Sequence, residues 1–352
     1  MDRIPDLQSL SKPELADLFS SIGQPAYRAK QVFSAFARGC AIGEISTLPK
    51  TLRERLAADY PDATPQIAAK QVSKLDGTAK YLLRLNDGNA VEAVLMKYEH
   101  GATVCVSSQV GCAMGCAFCA STIGGKVRNL TAGEMLGEVA AVGRDAGERI
   151  DGIVIMGIGE PLDNYDAVLR FLRLANDPDG LGIGYRHISL STCGIVPRIY
   201  DLAKEDLPIT LSISLHASTD ERRSRVMPVN RRWGLDQLLT ACRAYFEATG
   251  RRISFEYTLI AGENDTPDEA KRLASLLKNY LPDHPLHVNL IRLNEVKETG
   301  FRTHDGDSAR RFADLLNRLG VTATVRRRLG SDVDAACGQL RRKNASGGEG
   351  NP

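Results

Sequence analysis

Three cysteines stand close together in Gly111-Cys-Ala-Met-Gly-Cys-Ala-Phe-Cys-Ala120: Cys112, Cys116 and Cys119, spaced C-x3-C-x2-C. Thiolates at this spacing suit iron. Iron–sulfur clusters are ordinarily held by four cysteines. No fourth cysteine follows just beyond the trio, so a four-iron cluster held here keeps one iron open to another molecule. Two other chemistries compete. Disulfides would need an oxidising compartment and usually a much shorter chain than these 352 residues with eight cysteines. A zinc site could use Cys116-x-x-Cys119, but zinc sites usually show a second ligand pair, and none follows.

An open iron suits a ligand with both an amine and a carboxylate. S-adenosylmethionine offers both, and one electron from a cluster can cleave its sulfonium to a 5′-deoxyadenosyl radical. Gly157-x-Gly-Glu160 provides a backbone edge and a carboxylate for the ligand's ammonium. Two cysteines outside the trio are also candidates for chemistry: Cys105, on a strand pattern, and Cys337, on a Gly-flanked loop near Arg326, Arg327 and Arg328. Neighbouring cations lower a thiol's pKa and can also hold phosphates. Cys40, Cys193 and Cys242 read as packing residues. His216 reads as a core histidine or a ligand contact.

These residues need a scaffold. Lys12–Phe19 and Tyr27–Phe36 have helical spacing, and residues 1–75 are expected to form a small helical accessory domain. Lys80–Leu85 and Val91–Tyr98 alternate with period two around Asn86-Asp-Gly-Asn89, a β-hairpin linker over 76–100. Six strand–helix units follow, with strands near Ala102–Ser107, Gly152–Met156, His187–Thr192, Ile209–Leu215, Ile253–Ile260 and Leu286–Leu293. Thr131-x-x-Glu134 is a capping box, and Thr266-Pro267 starts another helix. The alternation predicts an α/β fold, a partial (β/α)6 barrel over 101–295. A helix, a strand (Val321–Arg326) and the Cys337 loop complete 296–343, and 344–352 reads as a disordered tail. In barrels, chemistry gathers at the carboxyl ends of strands. The trio, Gly159, Glu160, Ser191, Ser214, His216 and Asn294 all fall at such ends and are expected to rim one mouth.

Cys112-x3-Cys116-x2-Cys119 is similar to the radical S-adenosylmethionine signature. Cys105-Val-Ser-Ser-Gln-Val-Gly-Cys112, Met156-Gly-Ile-Gly-Glu-Pro161, Leu190-Ser-Thr192, Ser212-Ile-Ser-Leu-His-Ala217 and Asp334-Ala-Ala-Cys-Gly-Gln-Leu340 closely resemble the dual-specificity adenine-C2 RNA methyltransferases, over nearly the whole chain. The resemblance implies a [4Fe-4S] cluster on Cys112, Cys116 and Cys119. It implies S-adenosylmethionine contacts at Gly159, Glu160, Ser191, Ser214, Leu215, His216 and Asn294, and two S-adenosylmethionine molecules per turnover. It implies as substrates an adenosine of 23S ribosomal RNA and one in the tRNA anticodon loop. Cys337 would take a methyl group and, after hydrogen removal by the adenosyl radical, add to adenine C2. Cys105 would then attack the Cys337 sulfur, forming a transient disulfide and releasing RNA, with Glu92 accepting a proton. Radical chemistry makes sense here because adenine C2 is not nucleophilic, and release from a sulfur handle needs a second thiol.

The family expectation includes a flavodoxin-type electron donor, and a monomer. The start of the chain has no apolar core of a signal peptide and no run of about 18 apolar residues appears, so a cytoplasmic protein without a membrane span is expected. Net charge is only +2, but basic residues cluster in the second half: Arg222, Arg223 and Arg225, Arg231 and Arg232, Arg251 and Arg252, Arg326–Arg328, and Arg341, Arg342 and Lys343. Such clusters can track a phosphate backbone, although each alone could be a solvated face. Competing readings are an adenine-C8 methyltransferase with the same cysteines, a noncatalytic iron–sulfur RNA-binding or electron-transfer protein, and a radical activase acting on a protein.

Overall fold

The computed structural model describes residues 6–99, 101–296, 298–303 and 306–333. Three helices lead: α1 (Lys12–Ser21), α2 (Arg28–Ala37) and α3 (Lys50–Asp59). Ser11 caps α1 in a full capping box with Glu14. Four strands follow: β1 (Gln66–Val72), β2 (Ala79–Arg84), β3 (Ala90–Tyr98) and β4 (Gly101–Val106). A short hairpin, β5 (Gln109–Gly111) and β6 (Lys126–Asn129), brackets the cysteine trio. The alternation then runs α4 (Ala132–Ala146), β7 (Ile150–Ile155), α5 (Tyr165–Asn176), β8 (Ile188–Thr192), α6 (Val196–Leu202) and β9 (Thr210–Ser214). It continues with α7 (Asp220–Val226), α8 (Leu235–Thr249), β10 (Ile253–Leu259), α9 (Pro267–Tyr280), β11 (His287–Arg292), α10 (Gly306–Arg318) and β12 (Thr322–Val325).

One ten-stranded sheet carries the molecule, in the order β1-β2-β3-β4-β7-β8-β9-β10-β11-β12. From β4 onward every pairing is parallel, whereas β1 to β4 pair antiparallel. The expected α/β partial barrel is therefore present, extended by an antiparallel wing. Two expectations change. Gln66–Val72 is a strand within the stretch read as helical. The expected two-stranded hairpin is continuous with the barrel sheet: β3 pairs directly with β4, Val94 opposite Cys105.

The N-terminal helices share a single apolar cluster with α4 and α5. Polar clips fix the contact: Ser9 Oγ accepts from Gly133 N at 2.8 Å, and Lys12 meets Asp177 at 2.9 Å and Asp179 at 2.6 Å.

The parallel strands have two different faces. Ile188 and Leu190, Leu211 and Ile213, and Val288 and Leu290 point outward into the core beneath the helices. The alternate positions are polar and form cross-strand rows, Ser191–Ser212–Ser254 and Ser214–Glu256–Asn289–Thr324. Parallel strands buried on both faces normally read as continuous apolar runs. Strict alternation in a parallel sheet marks an inner face that lines a polar chamber.

Candidate active site

The carboxyl ends of these strands converge on a cavity of about 300 Å³. Its wall includes Cys112, Cys116 and Cys119 with Gly159, Glu160, Ser191, Ser214, His216 and Asn294. Leu215 does not line it; its side chain is fully buried in the core. Glu92 and Cys105 lie on the inner face of β3 and β4, outside that wall, and Cys337 lies outside the described residues.

Local sequence explains the placement. The Gly157–Glu160 turn passes against β4 and β5 so closely that no side chain fits. A Cβ at Gly157 would sit 2.6 Å from Val106 O, and one at Gly159, whose φ is +113°, 2.7 Å from the Gln109 Cβ. Glycine is required at both. The turn delivers Glu160 into a buried socket. Its Oε1 accepts from Leu162 N at 3.0 Å and Thr192 Oγ1 at 2.7 Å, and its Oε2 from Cys193 N at 2.8 Å. Burial pushes the Glu160 carboxyl up in pKa, against those donors. One carboxylate thus ties the end of β7 to the end of β8.

His216 has a φ of +56°, uncommon for a residue other than glycine. Its Nδ1 accepts from Thr258 N at 2.9 Å, which leaves Nε2 to carry the proton. Burial, helped by the Arg223 charge, lowers its pKa to about 3, so the ring is neutral. Phe118 of the cysteine loop meets it edge-on, ring centres 5.0 Å apart. Burial, then neighbouring acidic groups, raises the Cys112 thiol to about 12 and pushes Cys116 up as well. Loading a metal must displace those protons.

The donor set fits an iron–sulfur cluster. Three soft sulfur donors line one cavity, and Ser121 Oγ is buried beside them without a hydrogen-bond partner. Among the described residues, no three His, Cys, Asp or Glu form a group that could hold a single ion. A cluster separates its thiolates by giving each its own iron.

On the inner face, Lys80, Val94, Cys105 and Val154 form one cross-strand row. Glu92 is two residues from Val94, and its carboxylate pairs with Lys80 Nζ at 3.0 Å, both side chains being buried. Cys105 shares a small buried cluster with Val94 and Met96, and Met156 and Leu329 pack against that cluster. Leu329 belongs to a strap after β12, clipped across the turn between β1 and β2. Gly330 N donates to Asp76 Oδ2 at 2.8 Å, and Asp332 accepts from Ser73 Oγ at 2.5 Å and Lys74 N at 2.8 Å.

Some site residues escaped the sequence reading. Glu256 lines the cavity, held by Asn289 Nδ2 at 2.8 Å, and burial raises its pKa. A lone acid within Ile253-Ser-Phe-Glu-Tyr257 was its signal. Lys80 enters the sequence pattern only as the first residue of a strand, with nothing there to signal its buried partner Glu92. Cys193, read as packing, sits just after β8 in the cavity wall. Arg223, read as part of a surface cluster, is fully buried, because α7 turns it inward with Val226.

Residues 106–277 match the model of the radical SAM superfamily. A probable dual-specificity RNA methyltransferase RlmN from Alkaliphilus oremlandii is 48% identical over 345 residues, spanning 98% of this chain and 99% of its own. The chain belongs to the RlmN family of radical S-adenosylmethionine RNA methyltransferases. A second RlmN relative, from Clostridium acetobutylicum, is 47% identical over 97% of this chain and 98% of its own. The crystal structure of a radical SAM methyltransferase from Sphaerobacter thermophilus superposes with a TM-score of 0.89, at 43% identity, covering 96% of this chain and 99% of that one. As an RlmN-family member the chain is an S-adenosylmethionine-dependent enzyme that methylates RNA, and it uses a [4Fe-4S] cluster. Among the described residues, no helix is long and apolar enough to cross a membrane.

Proposed function

We propose that this enzyme methylates C2 of adenine in 23S ribosomal RNA and in tRNA, with Cys112, Cys116 and Cys119 holding the cluster. When bound, the cluster and two S-adenosylmethionine molecules supply an electron, a methyl group and a 5′-deoxyadenosyl radical. Gly159, Glu160, Ser191, Ser214, Leu215, His216 and Asn294 form the S-adenosylmethionine site, Leu215 through its backbone. The Cys337 thiolate carries the methyl carbon as a thioether. Cys105 attacks that sulfur, so a transient disulfide forms as the bond from sulfur to the transferred carbon breaks, and that carbon leaves with the electron pair and takes up a proton as the product methyl. Glu92, held by Lys80, takes the proton that leaves C2. The target base must leave its stack to enter the chamber. Residues 1–75 and the exposed arginines form the RNA surface, while a flavodoxin-type protein donates electrons to a cytoplasmic monomer.

The observation that carries this reading is the shared inner face. Cys105 and Glu92 sit on it beside the cavity wall, and Leu329, eight residues before Cys337, packs against the small apolar cluster of Val94, Met96 and Cys105. From Val333 to Cys337 is four residues, a reach of at most about 14 Å.

The test is anaerobic reconstitution followed by assay on ribosomal RNA and tRNA fragments, with mass spectrometry of the nucleosides. Methyl at adenine C2 is expected, and methyl at C8 would replace this reading with its rival. Cys337→Ala should keep its iron and lose all methylation. Cys105→Ala should trap a covalent protein–RNA adduct; free methylated RNA at normal rate would remove its role.

A further inference from the structure

Arg223 on α7 has a fully buried guanidinium, 0% exposed. Its Nε donates to Leu215 O at 3.1 Å and its Nη1 to Asn230 Oδ1 at 2.9 Å. Its Nη2 donates to Cys193 O at 2.7 Å and Ser214 O at 3.0 Å. All four acceptors are neutral. Its neighbours Arg222 and Arg225 pair with Glu269 and Glu263. Arg223 forms no ion pair with a carboxylate among the described residues. A buried cation held only by neutral groups is costly and calls for an offsetting charge.

The surroundings show where that charge would sit. Ala117 N, inside the cysteine loop, donates to Val226 O at 2.9 Å, joining the loop to the end of α7. Cys193, Val226 and Met227 form one buried cluster against which Cys116 and Phe118 pack. Burial pulls the guanidinium's pKa down; among the groups opposing that, the Cys193 and Cys116 thiols lead, ahead of Cys242 and the Asp220 carboxylate.

We infer that Arg223 is the buried counter-charge of the iron–sulfur cluster and makes the cluster easier to reduce. The inference rests on Cys112, Cys116 and Cys119 being the cluster ligands. Three thiolates outweigh the positive charge of the cluster core, so the loaded site is anionic, and the arriving electron adds one more negative charge. A fixed cation in a low-dielectric surrounding favours the more negative state. Arg223 touches no reacting atom. It acts on the potential through space, and it also gathers the carbonyls at the ends of β8 and β9.

The test is a redox titration of the reconstituted cluster followed by electron paramagnetic resonance, with iron content and thermal unfolding checked first. Arg223→Gln should shift the reduction equilibrium at least about tenfold against reduction, about 59 mV more negative for one electron. Arg223→Lys, which keeps the charge but not the fork, should restore most of that shift. An unmoved potential in folded, fully loaded Arg223→Gln overturns the inference. So does an equal shift in both variants, which would assign the effect to shape. Should the Gln variant not fold, Asn230→Asp decides: it adds a carboxylate beside Nη1 and must lower the potential, and no change there counts against the inference. Iron content of Cys116→Ala tests the ligand assignment separately, since a full cluster in that variant would remove the premise and leave the Arg223 measurement interpretable on its own.

Discussion

At the scale of single residues, the buried charges carry the most consequence. Lys80 and Glu92 lie 3.0 Å apart, 0% and 3% exposed. Breaking a buried pair from one side is much worse than replacing both members. Lys80→Met should therefore cost about 3–5 kcal/mol in urea unfolding, and Lys80→Met with Glu92→Gln should recover part of it. Glu138 gives a pH-dependent case. Burial raises its pKa well above the ordinary 4.5, against a hydrogen bond from Ser107 N at 3.0 Å. The folded state thus holds a proton that the unfolded state releases as pH rises past about 4.5, so this group subtracts stability on the alkaline side. Glu138→Gln should match the wild type in stability near pH 4 and exceed it increasingly above that, measured by urea unfolding across pH; a constant difference would show that Glu138 does not titrate differently on folding. The cysteines were legible because chemistry demands their spacing. Arg223 was not, because only the phase of a short helix turns it inward while Arg222 and Arg225 stay at or near the surface.

At the scale of elements, the Gly157–Glu160 turn and the strap do the positioning. Gly159→Ala would press a Cβ to within 2.7 Å of Gln109 Cβ and Ser108 Oγ at a φ of +113°. Strain of this kind costs about 1–3 kcal/mol or more. The expected outcome is a lower melting temperature together with weaker S-adenosylmethionine binding in calorimetry, since the turn also sets Glu160. The strap depends on Asp76, whose carboxyl is held down to about 2 by backbone amides and side-chain donors despite some burial. The strap clip therefore persists through the whole neutral range. Asp76→Ala should speed hydrogen exchange at Gly330 without changing exchange in β8 to β10. Parallel strands separated by capped helices were readable, because period two and period 3.6 differ plainly. β1 was not readable: it is an edge strand with a largely exposed pattern, so no buried face imposed an apolar beat on Gln66–Val72.

At the scale of the whole molecule, one sheet joins the antiparallel wing bearing Lys80, Glu92 and Cys105 to the parallel strands bearing the cavity. That union could not be read from sequence, because the pairing of β3 with β4 joins what looked like a linker to what looked like a barrel. Its two-faced strands have a further consequence. Along β8, β9 and β11, alternate residues answer to different demands, so tolerance to substitution should itself oscillate every second position. Truncating Leu190, Leu211 or Leu290 removes outward core, at a cost of about 2–5 kcal/mol each, and should lower the yield of folded protein. Truncating Ser191, Ser212 or Asn289 should leave yield near normal while methylation falls. A saturation scan scored once for abundance and once for activity would then produce two profiles of equal period, half a cycle out of step.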